Sequence, residues 1–209
     1  MGVEVRVSER AIARFKIAAV ALAVWPCARL IWLATQGGLG ANPIEYITRS
    51  TGWWTLAFLM ITLSITPLRR LLGWPWLARL RRTVGLCAFA YALMHFVIYL
   101  WLDQFFDFAA ITKDIIKRPF ITVGFTAFLL LIPLAVTSTN AMVCRLGGRR
   151  WQQLHRCVYA IAVLGVLHYW WLVKKDLREP ILFALLLTLL LGARILRVNR
   201  AASAAPNTE

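Results

Sequence analysis

The sequence predicts an all-α, polytopic membrane protein built as a six-helix transmembrane bundle. Its 209 residues are 60% hydrophobic, and their mean hydropathy is +0.67. Only 16% are charged, whereas a soluble domain carries about 25%. Six apolar runs approach the length of about 20 residues that a helix needs to cross the hydrocarbon core of a bilayer. Together these observations exclude an ordinary soluble domain.

The six runs follow one another with short connections. They cover residues 15–34, 52–66, 83–102, 119–138, 152–173 and 181–198. The second is predicted to stop at Pro67, because proline cannot continue the hydrogen-bond ladder of a helix. The fourth begins at Pro119, a residue type favoured in the first turn. The sequence thus predicts one domain over residues 15–198, an N-terminus over 1–14 and a disordered tail over 199–209.

The first run has a second interpretation, as a cleavable signal peptide. The apolar stretch is too long for such a peptide, and no small-residue cleavage site follows it. We therefore expect the first run to be a membrane span.

Basic residues are distributed unevenly between the two sides of the predicted membrane. Of the 24 Lys and Arg, 15 fall near the two ends of the chain, up to Lys16 and from Arg194 onward, and in the loops 67–82 and 139–151, against 7 in the other loops. Short basic loops stay in the cytoplasm, so both termini are predicted to be cytoplasmic in a bacterial inner membrane. The net charge of +15 is thereby explained by orientation. Nucleic-acid binding would need a soluble body to carry the basic surface.

All three histidines lie in predicted spans. None of these spans contains Asp or Glu, which disfavours a transporter and leaves imidazole as the main intramembrane chemistry besides Arg29 and Arg156. His95 and His168 are predicted at similar depth in the outer half, whereas His155 lies about 20 Å from His168 along the helix axis. Two imidazoles at matched depth on different helices can bind a haem iron from both sides. The alternative is that these histidines only form hydrogen bonds between helices.

Four stretches of the chain resemble a known family. They are ITPLRRLLGWPWLARLRRTVGL, FAYALMHFVIYLWLD, KRPFITVGFTAFLLLIPLAVTS and LGGRRWQQLHRCVYAIAVLGVLHYWWLVKKD. The chain from about Arg14 to Arg197 resembles the MsrQ (formerly YedZ) family of haem-binding membrane subunits. That family serves the bacterial periplasmic methionine-sulfoxide reductase system and is similar to the transmembrane domain of ferric reductases and NADPH oxidases. The blocks RPFITVGF and GRRWQQLHR carry the resemblance most specifically.

The resemblance implies an electron conduit that performs no substrate chemistry itself. A cytoplasmic flavin reductase or a quinone would supply electrons, and haem b would carry them across the membrane. The acceptor would be a periplasmic molybdenum enzyme that reduces methionine sulfoxide in oxidised proteins, a reversible form of damage. His95, His155 and His168 occupy the family's histidine positions, and His95 and His168 would be the axial ligands of the haem iron.

The chain departs from its oxidase relatives in the inner half of the membrane. Those proteins carry two histidines on each of two helices for two haems, whereas the third span here has only His95. The inner carrier is therefore either a second haem with His155 as ligand or an FMN whose phosphate binds arginine. The arginines available for FMN are Arg81, Arg82, Arg149 and Arg150. The positive-inside signal is the other explanation for these arginines.

Two further functions remain as alternatives. A quinone-linked or ferric-reducing b-type cytochrome would differ only in its partner. A small-solute transporter, from a different functional class, would purify without haem. An absorption spectrum of the purified protein, with and without reductant, separates the transporter from the cytochromes.

Overall fold

A computed structural model of the chain describes residues 7–173 and 176–203. All regular elements in this part of the chain are helical, as the sequence predicts. The α-helices are α1 (Glu9–Thr35), α2 (Pro43–Leu71), α3 (Arg81–Ile98), α4 (Phe108–Lys117), α5 (Pro119–Val136), α6 (Asn140–Leu146), α7 (Gly148–His155), α8 (Cys157–Leu172) and α9 (Arg178–Ser203). A 3₁₀ turn (Pro75–Arg79) precedes α3, and a π-helical turn (Tyr99–Asp103) extends it.

Five helical segments in the described residues are long and apolar enough to cross a membrane. They are α1, α2, α3 with its flanking turns, α5 and α9. The span predicted over 152–173 is interrupted at Arg156, which leaves α8 with only 16 residues. The protein is therefore a multi-pass, all-α membrane protein, but helix length alone supports five spans and not the predicted six.

Helix α2 is much longer than its prediction. It begins at Pro43, where the Asn42 side chain accepts a hydrogen bond from the backbone N–H of Glu45 at 3.2 Å. Its first turns are too polar to register as an apolar run. The helix also passes through Pro67 to Leu71, so the predicted stop at that proline is wrong. Proline removes a single donor, and packing against neighbouring helices lets a membrane helix tolerate this loss.

Both ends of the chain are more helical than predicted. Helix α1 begins at Glu9, because Ser8 caps it by accepting a hydrogen bond from the N–H of Ala11 at 3.3 Å. Helix α9 continues to Ser203, so residues 199–203 of the predicted disordered tail are helical. The predicted features at residues 1–6, at Lys174 and Lys175, and from residue 204 onward lie outside the described residues.

The loops also contain short helices that the search for long apolar runs could not find. Helix α4 is capped by Asp107, whose carboxylate accepts from the N–H groups of Ala109 and Ala110 at 3.0 Å. The turn before it contains Phe105 and Phe106 at φ angles of 47° and 58°, a region that bulky residues seldom adopt. Helix α6 is a second short helix of this kind and follows α5.

The core consists of two antiparallel helix pairs, α2 with α3 and α5 with α8. Near the start of α2, Thr48 contacts His95 near the end of α3, and further along α2, Thr62 packs against Gly85 near the start of α3. The pairs meet through contacts of α3 with α5 and of α2 with α8. Ala88 on α3 and Ala162 on α8 are completely buried, since small residues allow membrane helices to approach closely.

Candidate haem site

His95, near the end of α3, is held by the start of α2. Its Nδ1 lies 2.9 Å from the carbonyl oxygen of Thr48 and 3.3 Å from Oγ1 of Thr51. A carbonyl oxygen can only accept, so Nδ1 carries the hydrogen and donates it. This tautomer leaves the lone pair of Nε2 free for a metal ion, as in most histidine ligands.

His168, on α8, is held in the same way by the start of α5. Its Nδ1 lies 2.6 Å from the carbonyl oxygen of Phe120. The acceptor is again a backbone carbonyl, so Nε2 of His168 is also left with a free lone pair. Each histidine is thus oriented by the partner helix of its own antiparallel pair.

The two imidazole rings are neighbours where the two pairs meet. Their centroids are 6.3 Å apart, and the ring planes make an angle of 77°. An imidazole nitrogen binds a metal ion at about 2.0 Å and the ring centre lies about 1.1 Å further, so two rings on opposite sides of one ion have centres about 6 Å apart. The observed separation fits two axial ligands of a single iron.

The donor set also indicates what kind of metal group fits. In the described residues no cluster of three or more His, Cys, Asp or Glu side chains could hold a metal ion. A bare ion needs at least three or four protein ligands. Two opposed imidazoles suit an iron whose remaining ligands come from a macrocycle, as in haem.

Two glycines make room for the imidazole rings. A Cβ on Gly124 of α5 would lie 2.6 Å from Nδ1 and 2.8 Å from Cε1 of His168. A Cβ on Gly52 of α2 would lie 3.0 Å from Cε1 of His95. Any larger residue at these positions would displace the rings, so the glycines belong to the site although they contribute no side chain.

The cavity that contains both histidines has an apolar body and a few charged lining residues, which include Asp103. Small residues on its wall leave space between the helices, and these are Ala88, Ala92 and Gly165. Arg49 and Arg118 also line the cavity, and each is paired with an acid one turn away, at 3.4 Å from Glu45 and 3.3 Å from Asp114. Haem likewise combines a flat apolar ring with two charged propionates.

His155 lies in a different place. Its Nε2 is 3.0 Å from Oγ1 of Thr137, just after α5, and its ring stacks on Trp151 with centroids 3.9 Å apart. Thr137 is 17 residues along the chain from Phe120, the residue that holds His168, which is about 25 Å of helix. The structure therefore separates His155 from the other two histidines.

A second cavity, the inner cavity, surrounds His155. Arg81 and Arg82 line it, and Nη1 of Arg82 donates to Oδ1 of Asn140 at 2.6 Å. Arg149 and Arg150 are exposed on α7 and are not among its lining residues. Three further arginines that the sequence interpretation missed do line it, namely Arg69, Arg70 and Arg194.

Sequence reasoning also missed the groups that orient His95 and His168. The carbonyl groups of Thr48 and Phe120 have no sequence signature, because every residue carries one. Gly52 and Gly124 did carry a signal, since glycine inside an apolar helix often marks a close approach.

Comparisons with known proteins identify the family of the chain. Residues 51–166 match the family described as "Ferric reductase like transmembrane component", a range that contains His95 and His155 and ends two residues before His168. Three relatives are named "Protein-methionine-sulfoxide reductase heme-binding subunit MsrQ". The relative from Herminiimonas arsenicoxydans is 60% identical over 83% of this chain and 80% of its own length. The relatives from Azospira oryzae and Ralstonia nicotianae are each 56% identical, over 89% and 88% of this chain and 80% and 88% of their own lengths. The chain therefore belongs to the MsrQ family of ferric reductase-like membrane proteins.

Proposed function

We propose that this protein is a haem b membrane subunit that passes electrons across the bacterial inner membrane to a periplasmic methionine-sulfoxide reductase. One observation carries the proposal: His95 and His168 lie opposite one another, each with Nδ1 bonded to a backbone carbonyl and Nε2 free. The relatives are named as haem-binding subunits of such a reductase, which supports both the cofactor and the partner.

Nε2 of His95 and of His168 would hold the haem iron from its two sides. Bound there, haem would supply reversible one-electron chemistry at a potential that the imidazole ligands tune. Arg49 and Arg118 would bind the propionates, because guanidinium forms paired hydrogen bonds with carboxylates. An iron held by both imidazoles would have no open position for substrate, so the site would suit electron transfer. The subunit therefore performs no chemistry on methionine sulfoxide itself.

A second carrier is needed near His155. The hydrocarbon core is about 30 Å thick, and the opposed histidines lie towards one end of the bundle. His155 would bind a second haem, or the arginines of the inner cavity would bind the phosphate of FMN. Arg81 and Arg82 support the FMN hypothesis because they line the inner cavity, whereas Arg149 and Arg150 are exposed and are not among its lining residues.

The charge distribution supports the orientation that this function requires. The arginine-rich end, with the inner cavity, would face the cytoplasm, where a flavin reductase or a quinone supplies electrons. The end with Arg49, Arg118 and α4 would face the periplasm, where a molybdenum-containing reductase accepts them. Both chain termini would then be cytoplasmic.

The test is the haem spectrum of purified variants. We expect His95→Ala and His168→Ala each to lose the low-spin b-type spectrum, and added imidazole to restore part of it, because a free ligand can enter the space that the ring vacates. Cys144→Ala, at an exposed position on α6, is the control and should retain full haem content. Full haem content with an unchanged spectrum in both histidine variants would contradict the assignment.

A further inference from the structure

A groove lies between α2, α8 and α9, next to the inner cavity. Three arginines that also line the inner cavity form its basic end, namely Arg70, Arg81 and Arg194. Leu63, Leu190 and Leu191 are among its other lining residues. We call it the α9 groove. It therefore combines a basic end with an apolar floor.

The positive charge at the basic end has few acidic residues nearby to balance it. Within the part of the chain that the structure describes, no Asp or Glu lines the α9 groove. On the same side of the predicted membrane the sequence contains only Glu4, Glu9 and Glu209 as acids, and Glu9 is paired with Arg79. Like charges that converge from three helices repel one another, so an anion from outside the chain would stabilise this arrangement.

Arg194 is oriented for such an anion. Its guanidinium carbon lies 4.5 Å from the centroid of the Tyr159 ring, so the guanidinium lies over this ring of α8. An aromatic ring accepts no N–H pair from the guanidinium in the way a carboxylate does, so paired donors remain available for a phosphate. Arg70, from α2, is exposed and lines the same end.

The apolar floor is suited to hydrocarbon chains. Helix α9 packs against α2 and α8, and its outer face carries exposed large side chains, including Leu189, Ile195 and Leu196. A molecule in the groove would thus have its head at the arginines and its body along leucines next to the bilayer. Basic pockets between membrane helices on the cytoplasmic side bind anionic lipid headgroups in this way.

We propose that the α9 groove binds one anionic phospholipid, whose phosphate accepts hydrogen bonds from Arg70 and Arg194 and whose acyl chains lie on Leu190 and Leu191. A zwitterionic lipid fits less well, because its ammonium group would lie among three arginines. The proposal goes beyond electron transfer, and it stands whether or not haem binds at His95 and His168.

The experiment measures thermal unfolding of the detergent-purified protein during titration with four probes. These are short-chain phosphatidylglycerol, short-chain phosphatidylcholine, inorganic phosphate and FMN. We expect phosphatidylglycerol to raise the unfolding temperature at concentrations where phosphatidylcholine and phosphate have no effect. Equal stabilisation by both lipids, or by inorganic phosphate alone, would overturn the proposal. A response to FMN alone would assign the arginines to the inner cavity and would also overturn it.

Variants locate the site. We expect Arg194→Gln and Arg70→Gln each to weaken the phosphatidylglycerol response at least tenfold, and Arg194→Lys to weaken it less, since lysine keeps the charge but loses the paired donors. Arg145→Gln, at an exposed position on α6, is the matched control and should respond like the wild type. The far-ultraviolet circular dichroism spectrum, which reports helix content and does not depend on haem, checks that each variant is folded. An unchanged lipid response in the folded Arg194→Gln and Arg70→Gln variants would overturn the proposal.

Discussion

Gly124→Ala tests whether the space around His168 is needed for haem. The new methyl group would lie 2.6 Å from Nδ1 of His168, and ordinary van der Waals contact begins at 3.4 Å, so the ring must move by about 0.8 Å. That shift breaks the bond from Nδ1 to the Phe120 carbonyl, worth about 0.5–1.5 kcal/mol, and overpacking costs about 1–3 kcal/mol more. A loss of 1.4 kcal/mol is about tenfold in affinity, so we expect haem to bind at least tenfold more weakly.

The assay is the haem-to-protein ratio of the purified variant, together with its reduced-minus-oxidised spectrum. Gly52→Ala should have a smaller effect, because its methyl group would lie 3.0 Å from His95 and a shift of about 0.4 Å relieves the contact. Gly192→Ala is the matched control, since nothing lies within 4 Å of its added Cβ. Alanine favours helix over glycine by up to about 1 kcal/mol, so a loss of haem could not come from the helix itself. Wild-type haem content in Gly124→Ala would refute this account of the site.

The other predictions concern orientation, the inner carrier and the partner. A reporter that is active only in the periplasm should be silent when fused after Arg200 and active when inserted within 107–113, because basic loops remain inside; the opposite pattern would reverse the assigned orientation. If haem is the inner carrier, His155→Ala should remove a second haem. If FMN is the inner carrier, Arg82→Ala should lower the FMN content and slow the reduction of the protein while its haem content stays the same. Reduction of both variants from the cytoplasmic side at the wild-type rate would exclude both residues from the pathway. The reduced protein should reoxidise faster when the periplasmic enzyme and methionine sulfoxide are both present. A reoxidation rate that does not change when both are added would favour a quinone or ferric acceptor.

The depth of the histidines could be predicted from the sequence because a helix rises by a constant 1.5 Å per residue. Counting from the span ends placed His95 and His168 at one level, and the structure brings their rings to 6.3 Å. The same counting placed His155 about 20 Å away, in agreement with its contact to Thr137.

What depends on the register between helices could not be predicted in this way. The contact of Gly124 with His168 requires knowing how α5 lies against α8, and a single sequence carries no direct record of that. For the same reason, the sequence could not show which of the four candidate arginines line the inner cavity. Arg81 and Arg82 line it, whereas Arg149 and Arg150 are exposed on α7. The early start of α2 was missed because its first turns are polar. Hydropathy identifies segments that can lie in lipid, and it does not identify helices whose residues are polar.

The two opposed histidines belong to different antiparallel pairs, His95 to α2 and α3 and His168 to α5 and α8. A cofactor bound by both therefore links two parts of the chain that are otherwise joined by side-chain packing, such as that of Phe96 on Phe128. A ligand that binds only the folded state at 100 times its dissociation constant adds about 2.7 kcal/mol to stability. Haem supply during biogenesis would then govern how many newly inserted chains survive proteolysis. A cell short of iron would contain fewer copies of the protein, and not merely inactive ones.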